Sequence, residues 1–216
     1  MRQSSGTIEL SHTVRGSRFL SWLAPAANSN AASRVLDQRS RAHADATHHC
    51  WAYRTWSDGD LEMAGFDAGE PSGTAGRPIL GALERADVVN SVCVVSRWFG
   101  GTRLGTGGLT RAYADAARLA IEAAIAGDQL PNVGVWSRFE TRFPYSATSH
   151  VRRLVARHKA REESADYGEH VQLVLSVPAE EADAFARALT EIGAGMVHAS
   201  SLGECLRLSN TAQMKR

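Results

Sequence analysis

Residues 88–111 read VVNSVCVVSRWFGGTRLGTGGLTR, and this stretch decides the fold of the first half of the chain. Val88–Ser96 is apolar on both faces apart from Asn90 and Ser91, the pattern of a central strand covered on both sides. Arg97–Arg111 then carries glycines at 100, 101, 105, 107 and 108 and opens a helix from about Leu109 to Ala126. Leu109, Ala112, Tyr113, Ala116, Ala117, Ala120, Ala123 and Ala124 line one side of that helix with mostly small residues, so it packs closely on a sheet. Gly127 stands where a C-cap is expected.

Toward the N-terminus, Thr7–Arg15 alternates as a half-buried strand and returns through Gly16 as Ser17–Leu23. Asn28–His43 reads as an amphipathic helix with Asn28 or Asn30 as N-cap. Thr47–Trp56 is an aromatic-rich strand, and Ser57–Gly76 has turn chemistry. A short helix follows with Pro78 in its first turn and Ile79, Leu80 and Leu83 facing inward.

Toward the C-terminus the pattern restarts after Asp128–Pro131, the expected linker. Val133–Phe143 is a strand, and Ala147–His158 a helix. Strands follow near Glu162–Tyr167 and Val171–Val177, then a helix over Ala182–Ile192 ended by Gly193 and Gly195, then a strand over Met196–Leu202. The order β-α-β-β-α-β is that of a ferredoxin-like split βαβ unit. The expected organisation is α+β: a domain over 1–128, a ferredoxin-like domain over 133–208, and a flexible tail over 209–216.

The chain has 216 residues, 44% hydrophobic and 22% charged, enough to build a core. Its net charge of +1 excludes a polybasic tail or an acidic mimic of nucleic acid acting through bulk charge. Of 24 cationic side chains, 22 are Arg, the residue suited to bidentate phosphate contact. Three separated cysteines form no CxxC pair, so neither a cysteine zinc site nor a disulfide framework is expected. The start, MRQSSGTIEL, has no apolar h-region, and no apolar run is long enough to span a bilayer, so a cytoplasmic protein is expected.

Four segments carry candidate chemistry. In the first, backbone N–H groups at a helix start, with Arg97, Arg103 and Arg111 and no acid between Asp87 and Asp115, suit an anion. Trp98 and Phe99 suit base stacking, and Gly100, Gly101, Gly105, Gly107 and Gly108 allow close approach. It is not a Walker A sequence, and a tight strand–helix turn is the competing reading. The second is Asp67–Gly76. Asp67 and Glu70 suit a base or a metal, and Ser72 or Thr74 a nucleophile, but the favoured reading is turn chemistry beside Pro71 with Ser72 or Thr74 as N-cap.

The third is Thr47–Tyr53, where His48 and Cys50 share a strand face as a nucleophilic pair would. A half-buried structural cysteine is the more common arrangement. The fourth is Arg152, Arg153, Arg157, Lys159 and Arg161 on the second-domain helix and its exit, an electrostatic footprint for phosphates or a solvated face.

These residues carry a resemblance. The run from Gly76 through Leu80, Leu83, Val88, Val94, Arg97, Trp98, Phe99, Gly100, Gly101, Leu104 and Gly105 falls on the spacing of the Impact/YigZ family of small translation-associated proteins. Upstream, Gly69–Gly76 and His48 with Cys50–Arg54 fit as well, and the match covers roughly the first 127 residues. The family usually has a second acid where this chain has Ala68, which weighs against a two-carboxylate metal site at Asp67. Eukaryotic members carry a further N-terminal partner-binding domain, for which this chain is too short.

The resemblance implies a first domain similar to the second domain of ribosomal protein S5. It implies a second domain similar to the last domain of elongation factor G. It points to a translation-associated regulator that binds RNA, the ribosome or a translation-factor protein through the Gly/Arg-rich loop, with no catalysis, metal or cofactor required. The alternative is an enzyme on a small phosphorylated or nucleotide substrate, with the loop as anion cradle and Glu70 or Asp67 as base. No lysine in the first domain serves that reading. A protein–protein adaptor is the third possibility.

Overall fold

The computed structural model describes residues 1–192 and 196–209. The chain divides into two compact units, Met1–Val133 with Ser209, and Gly134–Leu208. Both mix sheet and helix, so the protein is α+β.

In the first unit β1 (Arg2–Gln3) and the hairpin β2 (Ile8–Val14) and β3 (Ser17–Pro25) lead into α1 (Ser29–Ala42). The Asn28 side chain accepts the N–H of Ala31 at 2.9 Å, so the expected N-cap is in place. β4 (His48–Ser57), β5 (Asp60–Phe66), α2 (Gly76–Arg85), β6 (Val88–Val89), β7 (Ser91–Trp98) and α3 (Gly105–Ala126) follow. The main sheet has the order β2-β3-β7-β4-β5 and is antiparallel at every pair.

Strand alternation sorts the two faces. Cys50, Ala52, Cys93 and Val95 join the core beneath α2 and α3, while Trp51, Tyr53, Val92 and Val94 join the core that includes Ala32 of α1. β7 is therefore the doubly covered central strand its apolar run predicts. The small residues of α3 let it approach so closely that Ser21 Oγ on β3 donates to the Ala116 carbonyl at 2.9 Å.

The structure corrects several expectations. The apolar run breaks at Asn90, which takes a positive φ of 49° and accepts the Trp56 N–H on its side-chain oxygen at 2.8 Å. The two valines before it pair in parallel with β1 instead of joining the main sheet. β5 occupies part of the stretch expected to be all turn. Its Gly65 is needed because α2 starts against it: a Cβ there would lie 2.5 Å from the Gly76 carbonyl oxygen, and one on Gly76 would lie 2.2 Å from the Phe66 nitrogen.

α3 begins at Gly105, so Gly107 and Gly108 are helical and the loop is only residues 99–104. The expected linker is tied down: Leu130 is 2% exposed, and Ser5 and Gln3 donate their N–H groups to the carbonyls of Gln129 and Pro131 at 3.0 and 3.1 Å.

The second unit contains β8 (Val133–Phe143, beginning at the boundary), α4 (Thr148–Arg157), β9 (Arg161–Tyr167), β10 (Val171–Pro178), α5 (Ala182–Glu191) and β11 (His198–Leu208). The sheet order is β11-β8-β10-β9, so its strands, numbered along the chain, lie 4-1-3-2. Phe139, Phe143, Val151, Leu173, Leu175, Phe185 and Leu189 fill its core. The last strand starts two residues later than expected and runs on to Leu208. Gly193, Gly195 and the tail from residue 210 lie outside the described residues.

Candidate functional site

The site is built where three segments meet: the end of β7, the start of β4, and Asp67–Ala75 between β5 and α2. Antiparallel pairing sets His48 directly opposite Arg97. On the same face, Glu70 reaches up from its turn. Its Oε1 accepts from Arg97 Nη1 at 2.5 Å and from the Tyr113 hydroxyl of α3 at 2.9 Å, and it lies 4.0 Å from His48 Nε2. Arg97 also donates to Ser17 Oγ at 3.3 Å. Arg97 and Glu70 are both buried, so the guanidinium expected to face an anion is instead balanced by a carboxylate.

His48 Nδ1 lies 3.0 Å from the Ala68 carbonyl. A carbonyl only accepts, so the proton sits on Nδ1 and the Nε2 position faces Glu70. The Cys50 thiol donates to the Asp67 carbonyl at 2.9 Å. Burial pushes that thiol up to about 12, outweighing the hydrogen bond with Tyr113 that favours its ionised form. His48 and Cys50 share the face their spacing predicts, but a thiol so hard to ionise is no nucleophile.

Asp67 does the work expected of Ser72 or Thr74. Its Oδ2 accepts the N–H of Gly73 at 2.7 Å, and its Oδ1 accepts those of Ala75 and Gly76 at 2.9 Å each. Burial opposes its ionisation, yet these three donors outweigh that and hold the carboxyl below its ordinary value. Ser72 is exposed and makes no side-chain hydrogen bond among the described residues, and Thr74 Oγ1 donates backward to the Pro71 carbonyl at 2.6 Å. The side-chain acceptor at the start of α2 comes from eight and nine residues upstream, beyond the three-residue window in which a cap is sought.

Above this floor lies a cavity of about 340 Å³ whose lining includes His48, Glu70, Phe99, Arg103, Gly105 and Thr106. The first turn of α3 has no side-chain cap and no acid. Gly105 and Thr106 of that turn line the cavity, which brings the positive end of the helix beside it. Arg103 is exposed at the rim, Phe99 is 49% exposed, and Arg111 is exposed with its Nη1 3.9 Å from the place a Cβ on Gly107 would occupy.

Trp98 is engaged internally: Nε1 donates to Asp45 at 2.8 Å, Arg18 lies over the ring at 3.7 Å, and His43 meets it edge-on. Gly100 is a contact, since a Cβ there would lie 1.9 Å from the carbonyl carbon of Gly16 in the β2–β3 turn. Gly101 and Gly105 adopt positive φ, 84° and 69°.

In the second unit Arg152, Arg153 and Arg157 are exposed on α4, and Lys159 is exposed at its exit with φ 54°. Arg161 differs, lying over the Trp136 ring at 4.7 Å. The residues missed at sequence level are Arg18, Tyr113 and Thr106. Arg18 was reachable only through the β3–β7 register that sets it opposite Trp98. Tyr113 read as core and is fully buried, but its hydroxyl donates to Glu70. Among the described residues no group of three or more His, Cys, Asp or Glu side chains is placed to hold a metal. None of their helices is long and apolar enough to cross a membrane.

The Impact N-terminal domain matches residues 15–121, and a domain of unknown function (DUF1949) matches residues 141–195. An IMPACT family member of Thermus thermophilus is 36% identical over 165 residues, 76% of this chain and 86% of that protein. YvyE of Bacillus subtilis (strain 168) is 30% identical over 187 residues, 84% of this chain and 82% of that one. YigZ of Escherichia coli (strain K12) is 29% identical over 192 residues, 88% and 92% of the two chains. A crystal structure of a hypothetical protein matches with a TM-score of 0.59 and 27% identity, over 92% of this chain and 95% of that one. With domain matches in both units and relatives aligned over most of their own length, the chain belongs to the IMPACT family.

Proposed function

We propose that this chain is a translation-associated regulator that binds RNA through the cavity at the start of α3. The observation that carries the reading is the uncapped, acid-free first turn of a 22-residue helix with Arg103 and Phe99 exposed at the same cavity. Backbone N–H groups and Arg103 contact phosphate, and Phe99 stacks on a base. Because Arg97 and Glu70 balance one another, the rim keeps a net positive charge. Arg152, Arg153, Arg157 and Lys159 offer a second phosphate-binding face on α4.

The fold supports the same reading. The 4-1-3-2 strand order suits a ferredoxin-like unit of the elongation-factor G type. The first unit suits the fold of the second domain of ribosomal protein S5, and the family resemblance supports a role in translation. The test is co-sedimentation of the purified protein with ribosomal subunits at low and moderate salt. Salt-sensitive association lost in Arg103→Ala supports the proposal, and absence from every fraction refutes a ribosomal partner.

One arrangement favours a second reading, an enzyme on a small phosphorylated or nucleotide substrate. His48 Nε2 and the Glu70 carboxylate stand 4.0 Å apart beside the cavity. Asp67 is ruled out as the base, since its carboxylate is committed to three N–H groups. A thermal-shift screen with nucleotides followed by product analysis tests it. Stabilisation with turnover abolished by His48→Gln establishes the enzyme.

A further inference from the structure

We infer that the cavity at the start of α3 takes a nucleoside 5′-phosphomonoester, carried on the end of an RNA strand, in preference to an internal phosphodiester. The inference rests on the RNA-binding reading of the same site and narrows it. Its first support is size: about 340 Å³, floored by the buried Glu70, Arg97 and Leu109, is room for one nucleotide. A continuing strand needs an open groove, whereas a chain end fits a floored cavity.

Charge is the second support. A phosphomonoester carries about −1.5 to −2 charges near neutral pH, against −1 for a diester. The cavity meets it with Arg103, with the free N–H groups of Gly105 and Thr106, and with His48. The Ala68 carbonyl occupies His48 Nδ1, so Nε2 is the ring edge left beside Glu70 at the cavity.

The third support is a stacking face. Phe99 at the rim, half exposed, supplies the stacking face for the terminal base.

The experiment compares two oligoribonucleotides of one sequence, labelled at the 3′ end, one with a 5′-phosphate and one with a 5′-hydroxyl, by fluorescence anisotropy. The phosphorylated strand is expected to bind about tenfold tighter, the size of one charge-assisted contact. Arg103→Ala, at an exposed loop position, and His48→Gln are expected to erase that difference. Should His48→Gln not fold, the two strands and Arg103→Ala still decide the matter.

Equal binding of the two ends, with both weakened by Arg103→Ala, overturns end recognition and leaves RNA binding at the loop intact. Binding of neither strand overturns both readings. A nucleoside 5′-monophosphate that competes as well as the phosphorylated strand upholds the phosphomonoester and overturns the RNA end as its source. Inorganic phosphate competing equally overturns recognition of the nucleoside.

Discussion

Replacing Asp67 by alanine removes the acceptor of three backbone N–H groups at once. Gly73 is exposed, so water replaces its lost partner, but Ala75 and Gly76 are buried and their donors stay unpaired. Two orphaned buried donors cost about 1–3 kcal/mol each, so Asp67→Ala is expected to destabilise the fold by about 2–6 kcal/mol. Even the lower figure lowers Tm by about 4–8 °C for a chain of this size. Ser72→Ala removes no hydrogen bond and is expected to stay within about 0.5 kcal/mol of the parent.

The pH dependence has a definite sign. Asp67 is held below its ordinary value of 3.8, so the unfolded chain binds its proton more readily than the folded one. Its contribution is full above that ordinary value and is lost as pH falls through the lower folded one. Asp67→Asn removes this part of the acid sensitivity. Urea unfolding between pH 3 and pH 7 is the assay. A Ser72→Ala loss above about 1 kcal/mol with Asp67→Ala near zero would refute the cap assignment.

Three further outcomes are expected. Gly100→Ala forces a Cβ to 1.9 Å from the Gly16 carbonyl carbon, so it is expected to lower Tm and expose the loop to protease, and a Tm equal to the parent would refute the contact. A thiol reagent at pH 8 is expected to leave Cys50 and Cys93 unmodified in the native protein, since burial pushes each up to about 12, and mass spectrometry of the labelled peptides checks it. Trp98→Ala removes the Asp45 hydrogen bond and the Arg18 contact, so it is expected to lower stability, and RNA affinity is expected to change only as far as folding does.

Much of this was legible in the residues themselves. The double-sided apolarity of β7 and the aromatic content of β4 mark them as strands, and Asn28 was one of two N-cap candidates by residue type. What escaped was non-local. Gly65 looks like a turn signal until α2 is seen resting on it. Asp67 suits a general base or a metal ligand until its lone pairs are found aimed at the start of α2. Arg97 looks like an anion ligand until Glu70, 27 residues earlier, is found against it at 2.5 Å. In each case the missing term was a partner that only the folded sheet supplies. Arg103 and Phe99 were legible because their exposure needs no partner, whereas the bare start of α3 lies four residues ahead of the helix expected from Leu109.

The most direct measurement of the central claim is the salt dependence of single-stranded RNA binding by the parent protein and Arg103→Ala. Each phosphate contact contributes about −0.7 to the slope of log K against log salt, so the parent is expected to show a negative slope and Arg103→Ala one shallower by about 0.7, with Tm unchanged. Binding that ignores salt, or an Arg103→Ala slope equal to the parent's, would contradict an RNA site at the start of α3.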